Sequence, residues 1–240
     1  MQTFISENSD ALSVQAADWL VDYITEVLQK QDRFTIALSG GSTPKKLFKL
    51  LAADKYINKI DWPKLHFFWG DERYVPLEDE RNNARMATDF LLRLVPVEPL
   101  HIHIMQTDIS PQESAVAYEK ILHQYFDGHT HTFDVVMLGM GGDGHTLSLF
   151  PGYPVIDEKE KWVTSFFLKE QDMFRITLTA PVTNKAACIQ FLVSGADKAL
   201  ALKEVMQGEK NLHRFPSQII QPESGGLYWF IDEAAAALLD

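Results

Sequence analysis

The sequence is poor in cysteine: Cys188 is the only one among 240 residues. No intrachain disulfide can form, so the fold must rest on its apolar core. Cys188 sits in an apolar run from Ala186 to Val193, where an inert buried thiol is the expectation and a nucleophile is not. Positive charge is scarce as well. Lys and Arg number 22 against 33 Asp and Glu, a formal net charge of -11. That field repels nucleic acid and anionic membrane, and no run of Lys or Arg overrides it locally. Neither is therefore expected as a partner. No apolar stretch approaches the length of a membrane span. The opening residues, MQTFISENSD, lack a basic region followed by an apolar core, so no signal peptide is expected and the cytoplasm is the expected location. Repeats, low-complexity tracts and long linkers are also missing, which excludes solenoids and extended disorder.

What is present is a hydrophobic fraction of 46%, enough for one substantial core and too little to demand two. A single domain over residues 1–240 is expected. Helical periodicity runs from about Ser9 to Lys30 through Leu12, Ala16, Leu20, Ile24 and Val27. A strand follows at Arg33–Leu38, then Ser39-Gly40-Gly41-Ser42-Thr43-Pro44, with Thr43 read as a helix cap and Pro44 as the first helical residue. A second strand, Lys64–Trp69, ends at Gly70-Asp71-Glu72-Arg73. A helix near Asn82-Asn83 carries Met86, Phe90 and Leu94, and His101–Met105 reads as a short strand. Ser110-Pro111-Gln112-Glu113 is a capping box opening a helix to about Phe126.

Phe133–Leu138 is nearly all apolar, as a strand covered on both faces would be. Trp162–Phe167, Phe174–Leu178, Ile189–Val193 and Leu227–Ile231 supply later strands. A helix spans about Asp197–Met206, and Asp232 caps a final one. Strands alternating with helices imply an α/β sandwich on a mostly parallel sheet, in which ligands gather at the carboxyl ends of strands. Four loops belong there: Ser39–Thr43, Gly70–Arg73, Gly139–His145 and Ser194–Lys198.

The glycines of the first loop let backbone approach a ligand, and the start of a helix offers free N–H groups, so Gly40, Gly41, Ser42 and Thr43 form a candidate anion site. A helix terminus contributes only about 0.3–1 kcal/mol, at best about 2. Against a charge of -11, cationic partners are needed, and Arg73 and Lys198 are the candidates. Arg73 could instead pair with Glu72 or Asp79, and Lys198 could be solvated; Lys45 and Lys46 are expected to face solvent. Gly139-x-Gly141-x-x-Gly144 matches the dinucleotide fingerprint in form, but Pro151 and Pro154 interrupt the helix that fingerprint requires. The loop instead delivers Asp143 and His145, a carboxylate able to fix an imidazole's tautomer and stabilise its protonated form. Its backbone N–H groups, at Gly141 and Gly142, are oxyanion candidates. The pairs His101/His103 and His129/His131 have no further ligand at metal-site spacing, so no metal is expected.

SGGSTP, WGDERYVP, NNARMA, GMGGDGHTLSLFPG, RITLTAPVTN and SGADKA occur in this order and resemble the motifs of the 6-phosphogluconolactonase family. The resemblance runs from about Ser39 to the end, through YWFIDEAAA. It implies a three-layer α/β/α sandwich with a Rossmann-like sheet, NagB/RpiA/CoA-transferase-like, shared with glucosamine-6-phosphate deaminase. It implies opening of 6-phospho-D-glucono-1,5-lactone in the pentose phosphate pathway, without metal or organic cofactor. Separately, a monomer or weak homodimer is expected. Carried onto this chain, it makes His145 the base that activates water and puts the phosphate on Gly41–Thr43, Arg73 and Lys198. Leu147 departs from the family, which often has a small residue there, and is expected to adjust packing behind His145. The deaminase motif continues from the histidine to a catalytic Glu, where this chain has Phe150. A non-catalytic sugar-phosphate sensor is a third reading, disfavoured by the intact Asp143/His145 pair.

Overall fold

A computed structural model describes all 240 residues. The chain forms β1 (Gln2–Ser6), α1 (Ser9–Leu28), β2 (Phe34–Leu38), α2 (Ser42–Leu51), α3 (Asp54–Ile57), β3 (Leu65–Trp69), β4 (Asp71–Arg73) and α4 (Asn83–Ala87). It continues through α5 (Pro111–Phe126), β5 (Val135–Leu138), β6 (Val163–Leu168), β7 (Met173–Leu178) and α6 (Ala180–Asn184). It ends with β8 (Cys188–Val193), α7 (Ala199–Gln207), β9 (Gly226–Asp232) and α8 (Glu233–Ala236).

Six strands make one sheet in the order β1-β9-β8-β5-β2-β3, and every neighbouring pair is parallel. Parallel strands covered on both faces read as unbroken apolar runs, and β2, β3, β5 and β8 are buried at every position. The two-residue period sorts their side chains. Phe34, Ile36, Leu38, Phe67, Val135 and Met137 pack with α1 and α2 on one face. Ala37, Phe68, Val136 and Leu138 pack with α5 and α7 on the other. This is the three-layer arrangement.

β4, β6 and β7 leave the main sheet and form a separate antiparallel one, ordered β4-β7-β6. Chain order reverses between β2 and β5: β3 lies on one side of β2, and the chain returns to the other. Such a switch point leaves a crevice outside the strand ends, where ligands of α/β sheets bind.

Several local expectations are met. Ser110 and Glu113 form the reciprocal capping box of α5. Asn82 caps α4 through the Arg85 N–H, and Asp232 caps α8 through Ala235. Cys188 is buried, and burial pushes its thiol pKa up. Others are corrected. His101–Met105 is not a strand. Pro99 sets a 3-10 turn through His101, and only one bridge, Ile102 to Phe67, follows. The helix at Asn83 ends at Ala87 and continues as a wide π turn, Thr88–Leu92. The edge strand β1 was not foreseen, since its exposed side chains carry little apolar pattern. No helix is long and apolar enough to cross a membrane.

Candidate active site

The loop after β2 turns straight into α2. Gly41 has φ +111°, a value that would strain any side chain, and it occupies the cap position expected of Thr43. The helix therefore starts two residues early, and Thr43 lies in its first turn with no capping bond. Gly40 is required by space: a Cβ there would lie 1.9 Å from Oδ1 of Asn83. The N–H groups of Gly41, Ser42 and Thr43 have no acceptor in the protein, as the first turn of a helix leaves them.

The loop after β5 is tied by its own backbone. The Gly141 N–H donates to the His145 carbonyl at 2.8 Å, and the Gly144 N–H donates to Gly141 at 3.0 Å. Thr146 Oγ1 donates to the Gly139 carbonyl. Gly144 takes φ +80° and lies against Phe215. Asp143 Oδ1 then accepts the His145 backbone N–H at 3.1 Å and faces the ring Nδ1 at 2.6 Å. The imidazole stacks on Phe150 with ring centres 4.1 Å apart. Burial alone would raise the Asp143 pKa, but the hydrogen bond and charge of His145 outweigh it and the net shift is downward. An ionised Asp143 can only accept, so in the neutral ring Nδ1 carries the proton and Nε2 keeps the lone pair.

One cavity of about 310 Å³ joins the two loops. Its lining includes Gly40, Gly41, Ser42, Thr43, Arg73, Gly141, His145 and Lys198, residues singled out from three separate stretches of sequence and one more beyond them. Arg73 is not ion-paired with either expected rival. Glu72 accepts backbone N–H groups of Arg73, Asn83 and Ala84, and Asp79 binds Arg81. Arg73 itself donates one bond, to the Arg81 carbonyl. Lys198 pairs with the exposed Asp197 at 2.8 Å, which lowers the pKa of that carboxylate. Lys45 and Lys46 face away, over Phe90 and onto Asp10.

Two expectations need correction. Gly141 is not free to hold an oxyanion, because the His145 carbonyl occupies its N–H; Gly142 does not line the cavity. The glycines serve geometry instead: a Cβ on Gly141 would lie 2.2 Å from the His145 ring. Leu147 packs against Gly70 and lines the same cavity as His145, at a cost. It is buried with φ +54°, and a Cβ on Gly70 would lie 2.6 Å from its Cδ2.

Sequence reasoning missed Asp71, Asn83, Gln171 and Arg175, all of which line the cavity. Asp71 accepts from Ser148 at 2.6 Å and lies 3.8 Å from Arg175. Asn83 holds the Asp71 carbonyl. Three of these four fall inside the quoted motifs WGDERYVP, NNARMA and RITLTAPVTN, which was the available signal. Glu72 organises this wall from beneath. It is fully buried, and burial drives its pKa up to about 7 despite three backbone N–H donors. No group of three or more His, Cys, Asp or Glu converges as metal ligands would.

The family model for glucosamine-6-phosphate isomerases/6-phosphogluconolactonase matches residues 7–229. A 6-phosphogluconolactonase of Nostoc sp. strain PCC 7120 is 40% identical over 95% of this chain and 94% of its own length. One from Synechocystis sp. strain PCC 6803 is 38% identical over the same shares. The solved 6-phosphogluconolactonase of Trypanosoma cruzi superimposes with a TM-score of 0.86 at 27% identity, over 99% of this chain and 96% of that one.

Proposed function

The chain belongs to the glucosamine-6-phosphate isomerase/6-phosphogluconolactonase family, and we propose that it opens 6-phospho-D-glucono-1,5-lactone to 6-phospho-D-gluconate with water activated by His145. This is the lactone-hydrolysing step of the pentose phosphate pathway. One observation carries the reading. The imidazole of His145, oriented by Asp143, shares a cavity with the free N–H groups of α2 and the cations Arg73 and Lys198.

The substrate phosphate docks on Ser42 and Thr43 beside Gly40 and Gly41, with Arg73 and Lys198 as counter-charges. Anchored there, the lactone presents C1 to a water held by Nε2 of His145. His145 takes a proton as the water oxygen bonds to C1. Asp143 holds the Nδ1 proton and stabilises the imidazolium. The C1–ring oxygen bond then breaks, and the imidazolium returns its proton to the departing oxygen. The scheme needs one base and no redox step.

Phe150 weighs against the deaminase activity of the wider family. Aldose–ketose isomerisation requires a second proton-transfer group, and the position after His145 that would supply it holds a phenyl ring stacked on the imidazole. The proposal extends to a single domain spanning residues 1–240, acting in the cytoplasm as a monomer or weak homodimer on a small-molecule substrate. The test offers freshly made 6-phosphogluconolactone and glucosamine 6-phosphate separately to the purified chain. Turnover of the lactone alone is expected. Release of ammonia from the amino sugar would favour the deaminase, and turnover of neither would reduce the chain to a sensor.

A further inference from the structure

We propose that Arg175 binds substrate directly: with Arg73 it holds the phosphate of the bound sugar between two guanidinium groups. The inference rests on the phospholactone reading and adds to it a residue that the sequence motifs left without a role.

β4 and β7 run antiparallel, and their register sets Arg73 directly opposite Arg175. Opposite residues of such a pair share one face, with Cβ atoms about 4.5–5.5 Å apart, where like charges destabilise the sheet. Both side chains line the cavity. Arg175 is only 4% exposed. Burial lowers its pKa; the charge of Asp71 opposes that shift, and the charge of Arg73 adds to it.

The protein answers this buried charge incompletely. The nearest carboxylate oxygen, Asp71 Oδ2, is 3.8 Å from Nη1, beyond hydrogen-bond reach, and already accepts from Ser148 at 2.6 Å. Gln171 takes Nη2 but brings no charge. Nε of Arg175 is buried without a partner, and so is Nε of Arg73. Buried donors of native proteins are nearly always satisfied, so two unpartnered Nε–H groups on residues that line one cavity mark a positive wall whose charge the protein leaves incompletely answered.

The chemistry of a ligand for that wall follows from the geometry. It must be anionic, to offset two adjacent cations. It must also carry several oxygens, because each planar fork takes an oxygen pair best. A phosphate dianion meets both demands. A lactone carbonyl or a ring hydroxyl offers one oxygen and cannot serve both forks.

The experiment compares Arg175→Gln and Arg175→Lys with the unmodified chain on fresh 6-phosphogluconolactone and on unphosphorylated gluconolactone. Inorganic phosphate is the competing probe. Arg175→Gln is expected to raise KM for the phosphorylated lactone about tenfold or more and to weaken phosphate inhibition in parallel. Its kcat/KM on the unphosphorylated lactone should stay within about twofold of the unmodified chain. Arg175→Lys keeps the charge without the fork and should fall between; it carries the test if the Gln variant does not fold. An unchanged KM in a folded variant overturns the inference. Equal losses on both lactones also overturn it, by moving Arg175 to the reacting carbon. A parent chain that leaves the phospholactone untouched would instead defeat the reading beneath, whatever the variants do.

Discussion

Asp143 grips His145 twice with one oxygen: Oδ1 accepts the backbone N–H at 3.1 Å and faces the ring Nδ1 at 2.6 Å. The first contact fixes the loop and the second fixes the ring. A neutral amide at position 143 could keep the first contact, but it has no charge to stabilise an imidazolium. Asp143→Asn should therefore leave the melting temperature nearly unchanged while lowering kcat by on the order of 10² or more. A variant with normal kcat would remove Asp143 from the mechanism.

The counter-charges should separate by substrate. Each charged hydrogen bond is worth about 1.5–3 kcal/mol, or roughly 10- to 100-fold in affinity. Arg73→Ala and Lys198→Ala should each raise KM for 6-phosphogluconolactone within that range. The smaller effect belongs to Lys198, whose charge is already shared with Asp197. Neither should alter kcat/KM for unphosphorylated gluconolactone. Equal losses on both substrates would take these residues off the phosphate.

Two glycines near the cavity should respond unequally to one methyl group. At Gly40 the added Cβ strikes the Asn83 side chain, which itself holds the Asp71 carbonyl. At Gly139 the nearest atom is Ser39 Oγ, 4.0 Å away. Gly40→Ala should cost about 1–3 kcal/mol of stability and impair substrate binding. Gly139→Ala should stay within about 0.5 kcal/mol. Chemical denaturation of both variants checks the contrast.

Stability should fall in acid through two histidines away from the site. His66 and His103 flank the Tyr125 hydroxyl at 3.0 and 2.8 Å, and burial with neighbouring positive groups lowers both pKa values to about 4. In the unfolded chain a histidine titrates near 6.5. Between that value and about 4 the unfolded state binds more protons, so stability is full above pH 6.5 and falls as pH drops. Glu72, raised to about 7, acts with the opposite sign. It is common to parent and variant, so its effect cancels between them. The double variant His66→Gln, His103→Gln should lose less melting temperature between pH 7 and pH 5 than the parent. An equal loss would assign the acid sensitivity elsewhere.

The sheet was legible because its strands are short apolar runs bounded by glycine turns, and burial on both faces leaves no other reading for Val135–Leu138 or Ile36–Leu38. The strand-end loops were legible for the same reason, since a parallel sheet sends its glycine loops to one edge. Pairing partners were not. Nothing in Phe174–Leu178 announces that it leaves the main sheet to pair with Asp71–Arg73, because antiparallel pairing depends on where the chain returns. Arg175 was overlooked on that account: its position opposite Arg73 is a property of register. The oxyanion assignment failed similarly. Free N–H groups were inferred from glycine content, whereas the loop uses one of them to close on His145.

The most direct measurement is the rate at which His145→Ala hydrolyses fresh 6-phosphogluconolactone, with spontaneous hydrolysis subtracted. A general base is worth about 10²- to 10⁴-fold, and the side chain is partly exposed at the cavity wall, so the variant should fold normally and lose that factor. A folded variant that hydrolyses the lactone at the parent rate would contradict the account.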